Sequence, residues 1–262
     1  MNRSTTPAQS LPPRAAPTLA WTHLRLRHRR MLVWLMATAS AWMLFANWPG
    51  IDLSISTELM NAGGPDQPRF AFGQWAAVRV VYEVVPWLGR GALLACLVLL
   101  MLPRPGRHGS AALGRWRQRA PAMLLVLVLG LWLVVNAGFK EHWGRPRPQH
   151  VEVLGGDQPF RSIAEQSSLC GRNCSFPSGH AATGFVVMAA GLRAGASRRR
   201  RWAWAGLILG TLVGLGRMLQ GGHFASDVVF AGLMIWGVTL AAQQMLLRWR
   251  AARGPQNSSW RR

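Results

Sequence analysis

Long apolar stretches alternate with arginine-rich connectors along this chain. Six such runs stand out, over residues 31–48, 84–102, 122–139, 181–196, 202–219 and 228–247. A hydrocarbon core about 30 Å thick takes roughly 20 apolar residues of helix, so each run predicts a membrane-spanning segment. Arg90 interrupts the second run, and Arg193 sits near the end of the fourth, where it can snorkel to the interface. The pattern predicts an all-α fold, a polytopic membrane bundle of six transmembrane helices over residues 31–247. Two connectors, after the first and the third run, are longer. In 49–83, the mixed stretch 70–82 predicts an amphipathic helix along the interface. Residues 140–179 are rich in Gly, Pro and polar types, and a loop that long is either disordered or functional.

Charge orients the bundle. Residues 1–30, 103–121, 197–201 and 248–262 lie on alternate sides of the runs and hold 20 arginines and no acidic residue. All nine acidic residues fall in or beside the remaining connectors. Short basic loops stay cytoplasmic, which predicts both termini on that side. Seven tryptophans (Trp21, Trp48, Trp87, Trp116, Trp143, Trp202 and Trp249) stand near run ends, at headgroup depth. Residues 1–30 and 248–262 read as basic cytoplasmic tails, the first of them disordered, although an arginine-rich, acid-free amino end is also the pattern of a transit peptide. The net charge of +21 over 262 residues would ordinarily suggest a nucleic-acid partner. Here it is accounted for by topology and anionic lipid, so no nucleic acid is expected.

Three clusters carry candidate chemistry. Lys140 is the only lysine among 30 basic residues, which hints at a need for a compact ammonium. It is followed by Arg145-Pro146-Arg147-Pro148, where proline keeps the backbone extended. Next, Pro177-Ser178-Gly179-His180 opens the fourth run; Ser178 suits an N-cap and Gly179 a close backbone approach. Free N–H groups and the positive dipole end of such a helix favour an anion. Finally Arg217, His223 and Asp227 join the last two runs. Four residues apart, His223 and Asp227 share a helix face, so the carboxylate can hold one imidazole nitrogen and aim the other. All three clusters are expected at one end of the bundle. Three cations, a helix amino end and two histidines suit a tetrahedral oxyanion, with one histidine as nucleophile and the other as general acid.

At these residues the sequence resembles the type-2 phosphatidic acid phosphatase family, in its membrane-bound lipid phosphatase branch. Its motifs, Lys-x6-Arg-Pro, Pro-Ser-Gly-His and Ser-Arg-x5-His-x3-Asp, correspond to Lys140 with Arg147-Pro148, to Pro177 through His180, and to Arg217 with His223 and Asp227. The likeness covers a core of residues 122–247, with Gly216 where the family has serine. It implies that His223 attacks phosphorus to give a phosphohistidine, that Asp227 orients it, and that His180 protonates the leaving oxygen. Lys140, Arg147, Ser178, Gly179 and Arg217 would bind the phosphate oxygens. It implies no cofactor and no metal. The substrate would be a lipid phosphate such as phosphatidate, phosphatidylglycerophosphate, undecaprenyl diphosphate or lipid A, the last suggested by the residues from Cys170 to His180. The protein would then lie in a bacterial inner membrane with its site facing the periplasm. A lipid-to-lipid phosphotransferase or a non-catalytic transporter or scaffold remain the alternatives. Cys170 and Cys174 would face the oxidising side, as a small disulfide ring stiffening the loop or as two free thiols. Cys96 reads as a packing residue, Arg145 as a solvated loop charge, and Arg79, Glu83 and Arg90 as an interfacial ion-pair group.

Overall fold

The computed structural model describes residues 19–103 and 110–252; the rest of the predicted tails, 1–18 and 253–262, lies outside the described residues. Among the described residues the chain forms helices and no strand. Helix α1 (Leu19–Asn47) begins twelve residues upstream of the first apolar run, so the end of the expected tail is helical. At Trp48-Pro49 the chain turns by 76° into the short α2 (Gly50–Asn61). Proline has no N–H to continue the hydrogen-bond ladder, which puts the break there.

The stretch expected to form an amphipathic helix over 70–82 does something else. Ala71–Gln74 make one 3₁₀ turn, and Ala76 already starts α3 (Ala76–Met101). Phe70 is buried, and Gly73 sits so close to Leu219 and Gln220 that an added Cβ would lie 2.6 Å from the Leu219 carbonyl. This stretch is therefore seated on the end of a neighbouring helix rather than along the interface.

The remaining elements are α4 (Ala111–Lys140), whose last 14 residues are π-wound, α5 (Gly179–Phe185) continued by a 3₁₀ segment Val186–Gly191, α6 (Ala196–Leu219) and α7 (Ala225–Ala252). Among the described residues four helices are long and apolar enough to cross a membrane: Ala76–Met101, Ala111–Lys140, Ala196–Leu219 and Ala225–Trp249. A fifth is reached if α1 and α2 count as one bent span. The apolar run 181–196 behaves differently from expectation, giving only a 7-residue α-helix and a 6-residue 3₁₀ segment. At 1.5 and 2.0 Å per residue these reach only about 22 Å.

Close packing explains the tight winding. Gly206, Gly210 and Gly214 form one face of α6, and a Cβ on any of them would meet α5, its 3₁₀ extension or α7 within 2.6 Å. Small residues let helices approach in a bilayer, where burial of apolar surface supplies little drive. This brings α5 hard against α6, with Phe185 buried between them, Ala182 and Ala231 beside it in the core. The carboxyl ends of α4 and α6 and the amino ends of α5 and α7 all meet at one end of the bundle.

Candidate active site

The long connector 141–178 is an ordered cap over that end. Gly144 makes it possible: its φ is +68°, and a Cβ there would stand 1.6 Å from the Ser167 carbonyl oxygen. Ile163 and Phe176 bury their side chains under the loop, and the Trp143 indole donates to the Ile163 carbonyl at 3.1 Å. Ser175 N–H donates to the Arg145 carbonyl at 2.9 Å, closing the loop on itself.

Arg145 corrects the sequence reading most sharply. Instead of a solvated loop charge it is fully buried at the centre of a polar hub. Its Nη2 donates to Asp52 Oδ2 at 2.8 Å, its Nη1 to Asp227 Oδ1 at 2.6 Å and to Ser226 Oγ at 2.8 Å, and its Nε to the Arg161 carbonyl at 2.8 Å. The Phe224 ring lies 4.2 Å beneath the guanidinium. Asp52, from α2, also accepts from Ser226 N–H at 2.9 Å. A buried charge survives only when paired and hydrogen-bonded, and this hub meets that condition. Asp52, Ser175 and Ser226 were not singled out by the sequence, nor was the linking role of Arg145.

Asp227, in the first turn of α7, is the point where the hub reaches the predicted site. While its Oδ1 accepts from Arg145, its Oδ2 accepts from Ser175 Oγ at 2.5 Å and from Phe224 N–H at 2.8 Å. The same oxygen stands 3.5 Å from His223 Nδ1, beyond an ordinary hydrogen bond, and that nitrogen has no other partner. Burial holds the His223 imidazole well below its ordinary pKa, with Asp227 opposing and Lys140 adding to the effect.

On the far side of His223 the charges are all positive. Lys140, almost wholly buried, donates Nζ to the Cys174 carbonyl at 2.8 Å. Arg147 donates to the Asn173 carbonyl at 2.8 Å. Arg217 donates to Gln220 Oε1, lies 4.5 Å over the Tyr82 ring, and keeps a buried Nε without a partner. None of the three has a carboxylate within ion-pairing distance among the described residues. His180 stacks on the same Tyr82 at 5.1 Å, its Nε2 3.2 Å from the Tyr82 carbonyl.

Ser178 caps α5 by accepting from Ala181 N–H at 3.4 Å, and its own N–H donates to the Asp227 carbonyl at 3.1 Å. That bond ties the second motif to the third. The structure thus brings every sequence-predicted site residue to one end of the bundle, with Gly179 beside Asn136 on α4. At Gly216 a Cβ would meet only Val78, at 3.8 Å, so the place of the family's serine side chain is open. The sulfurs of Cys170 and Cys174 are at bonding distance, with Cα atoms 5.7 Å apart. Their five-residue ring contains the two carbonyls, of Asn173 and Cys174, that hold Arg147 and Lys140.

A cavity of about 620 Å³ opens beside this cluster, between α3, α4 and α5. Lys140, Asn173 and His180 stand at its polar end, and Leu93, Leu131 and Trp132 line its apolar part. Arg90 also lines it, its guanidinium 4.7 Å over the Trp87 ring, without an ion pair to Glu83 or any other described residue. The expected ion-pair group around Arg90 is therefore not formed.

Comparison with known proteins adds a lineage. The sequence model of the PAP2 superfamily matches residues 121–252. The lipid A 4'-phosphatase of Francisella tularensis subsp. novicida (strain U112) is 31% identical over 215 residues, which cover 79% of this chain and 91% of that protein. The lipid A 4'-phosphatase of Rhizobium leguminosarum is 28% identical over 212 residues, 76% of this chain and 89% of the relative. A lipid A 1-phosphatase of Rhizobium etli (strain ATCC 51251 / DSM 11541 / JCM 21823 / NBRC 15573 / CFN 42) is 31% identical over 182 residues, 66% of this chain and 72% of the relative. No solved structure matches the chain.

Proposed function

The chain belongs to the PAP2 superfamily, and from that premise we propose that it is a membrane phosphatase that removes a phosphate monoester from a lipid A-type glycolipid. One observation carries this reading: three buried or half-buried cations without carboxylate partners surround the two imidazoles of His180 and His223. Such a cluster is electrostatically incomplete until an anion enters, and a tetrahedral phosphate supplies both the charge and enough acceptor oxygens.

The proposed reaction has two steps. With Nδ1 of His223 turned to Asp227, Nε2 is the nitrogen left to attack phosphorus; the N–P bond forms as the ester P–O bond breaks. Asp227 stabilises the cation that develops on the ring. His180, protonated once the phosphate dianion offsets the surrounding cations, gives its proton to the departing sugar oxygen. In the second step His180 takes a proton from water, which attacks phosphorus and releases inorganic phosphate from His223. Lys140, Arg147, Arg217, the Gly179 N–H and Ser178 hold the non-bridging oxygens, which removes the need for a metal ion.

The mixed cavity beside the cluster supports a substrate with a polar head and apolar tails. The arginine distribution supports six crossings, with α5 and its 3₁₀ extension as a short one, both termini in the cytoplasm and the site facing the periplasm of a bacterial inner membrane. The test is phosphate release from purified lipid phosphates in detergent, for wild type and His223→Ala, with and without EDTA. Release that survives EDTA and disappears in the variant is the expected result; release by the variant, or its loss on chelation, overturns the mechanism. A lipid acceptor that takes up the phosphate in place of water would make the enzyme a phosphotransferase.

A further inference from the structure

A second basic cavity lies at the opposite end of the bundle. It has a volume of about 600 Å³ and is lined by Arg30 of α1, Arg199 and Arg200 of α6, and Gln243 of α7, over an apolar floor that includes Met188 and Trp236. Along α6, Arg199 is 18 residues from Arg217, about 27 Å at 1.5 Å per residue. That is close to the thickness of a hydrocarbon core, so the cavity sits at the other membrane surface from the catalytic cluster.

Its charge balance is one-sided. The four elements that line it carry a single acidic residue, Asp227, and that residue is at the far end of α7 in the hub. Arg30 and Arg199 are near enough for their charges to repel. None of Arg30, Arg199 and Arg200 has an ion-pair partner among the described residues. Arg199 is half-buried and Arg30 and Arg200 are exposed at the rim, and the three line, from two helices, a hollow with a hydrogen-bonding wall and an apolar floor.

We propose that this cavity is a binding site for an anionic phospholipid, whose phosphate diester is held by Arg30, Arg199 and Arg200 while an acyl chain lies over Met188 and Trp236. Basic pockets between transmembrane helices bind lipid headgroups, and a guanidinium can grip a phosphate through two parallel hydrogen bonds. The bound lipid bridges α1 to α6 and α7 and stabilises the folded bundle by mass action. The site is separate from the catalytic one, and it stands or falls independently of the phosphatase reading.

The test is thermal unfolding in a neutral detergent with added phosphatidylglycerol, diphosphatidylglycerol, phosphatidylcholine or inorganic phosphate. Three proteins are compared: wild type, Arg30→Gln/Arg199→Gln/Arg200→Gln, and a charge-matched control, Arg115→Gln/Arg201→Gln/Arg248→Gln, whose arginines do not line the cavity. The anionic lipids should raise the melting temperature of wild type and control by about 5 °C and leave the cavity variant unmoved. Equal shifts in the two variants, a shift from phosphatidylcholine, or the full effect from inorganic phosphate alone each overturn the proposal. Should the triple cavity variant not fold, Arg199→Gln alone, with bound lipid counted by native mass spectrometry, makes the same discrimination: undiminished lipid occupancy overturns the site.

Discussion

Two clusters of buried charge meet at His223, and they are built on opposite rules. On one side Asp52, Arg145 and Asp227 form a closed hub in which each charge has a partner of opposite sign and the surrounding donors and acceptors are used. On the other, Lys140, Arg147 and Arg217 lean on carbonyls, an amide and an aromatic face, which orient a cation without neutralising it. The hub holds two carboxylates against one guanidinium, so it carries one net negative charge toward His223. The open cluster carries three positive charges. A satisfied cluster fixes geometry; an unsatisfied one stores attraction for a ligand. In the proposed mechanism their junction is where the His223 imidazole becomes cationic on one face while it meets an anion on the other.

The largest separation between the two should come from breaking the hub. Arg145→Met leaves Asp52 and Asp227 buried without their cation, and loss of one partner of a buried pair costs about 3–5 kcal/mol. The expected outcome is little folded protein by size-exclusion in detergent. If the variant instead folds normally and loses only turnover, the hub is catalytic rather than architectural. Arg217→Ala should do the reverse. Removal of a repelling cation leaves the melting temperature unchanged or higher, while turnover falls by about 10²–10³, as when one oxyanion-binding donor is lost. A melting temperature that collapses along with activity would erase the distinction.

A smaller effect should sharpen the open side. The ring closed by Cys170 and Cys174 presents the carbonyls that hold Arg147 and Lys140, so reductant should lower wild-type activity several-fold. The Cys170→Ser/Cys174→Ser variant should already be low and insensitive; equal reductant-induced losses in both proteins would sink the link.

The two clusters also differ in how far the sequence revealed them. The open cluster was legible because Lys140 is chemically unusual in an arginine-rich chain and because the spacing from His223 to Asp227 matches a helix face. The hub was hidden for the opposite reason. In a chain with 29 arginines, Arg145 offers no compositional contrast, and its partner Asp52 is 93 residues away, across the bend between α1 and α2. One signal was available: Asp52 interrupts apolar neighbours in Gly-Ile-Asp-Leu, where an unpaired carboxylate would be costly.

Helix limits followed the same logic. The runs at 202–219 and 228–247 lie within α6 and α7 because their apolar residues extend through most of each helix. The run at 181–196 looked like its neighbours in hydropathy, yet glycine contacts with α6 accompany a shorter, tighter segment. Hydropathy does not encode how closely two backbones approach. The same limit applies at 70–82, where the burial of Phe70 and the tight seat of Gly73 depend on the end of α6.

The most direct test of the junction between the two clusters is a rapid-quench experiment with a lipid A-type substrate bearing labelled phosphate. The expected result is label on wild-type protein that is stable to alkali and lost in acid, as for a phosphohistidine, and no label on His223→Gln. Label retained by that variant, or phosphate released by the wild type at full rate with no labelled protein at any time, would contradict His223 as the nucleophile.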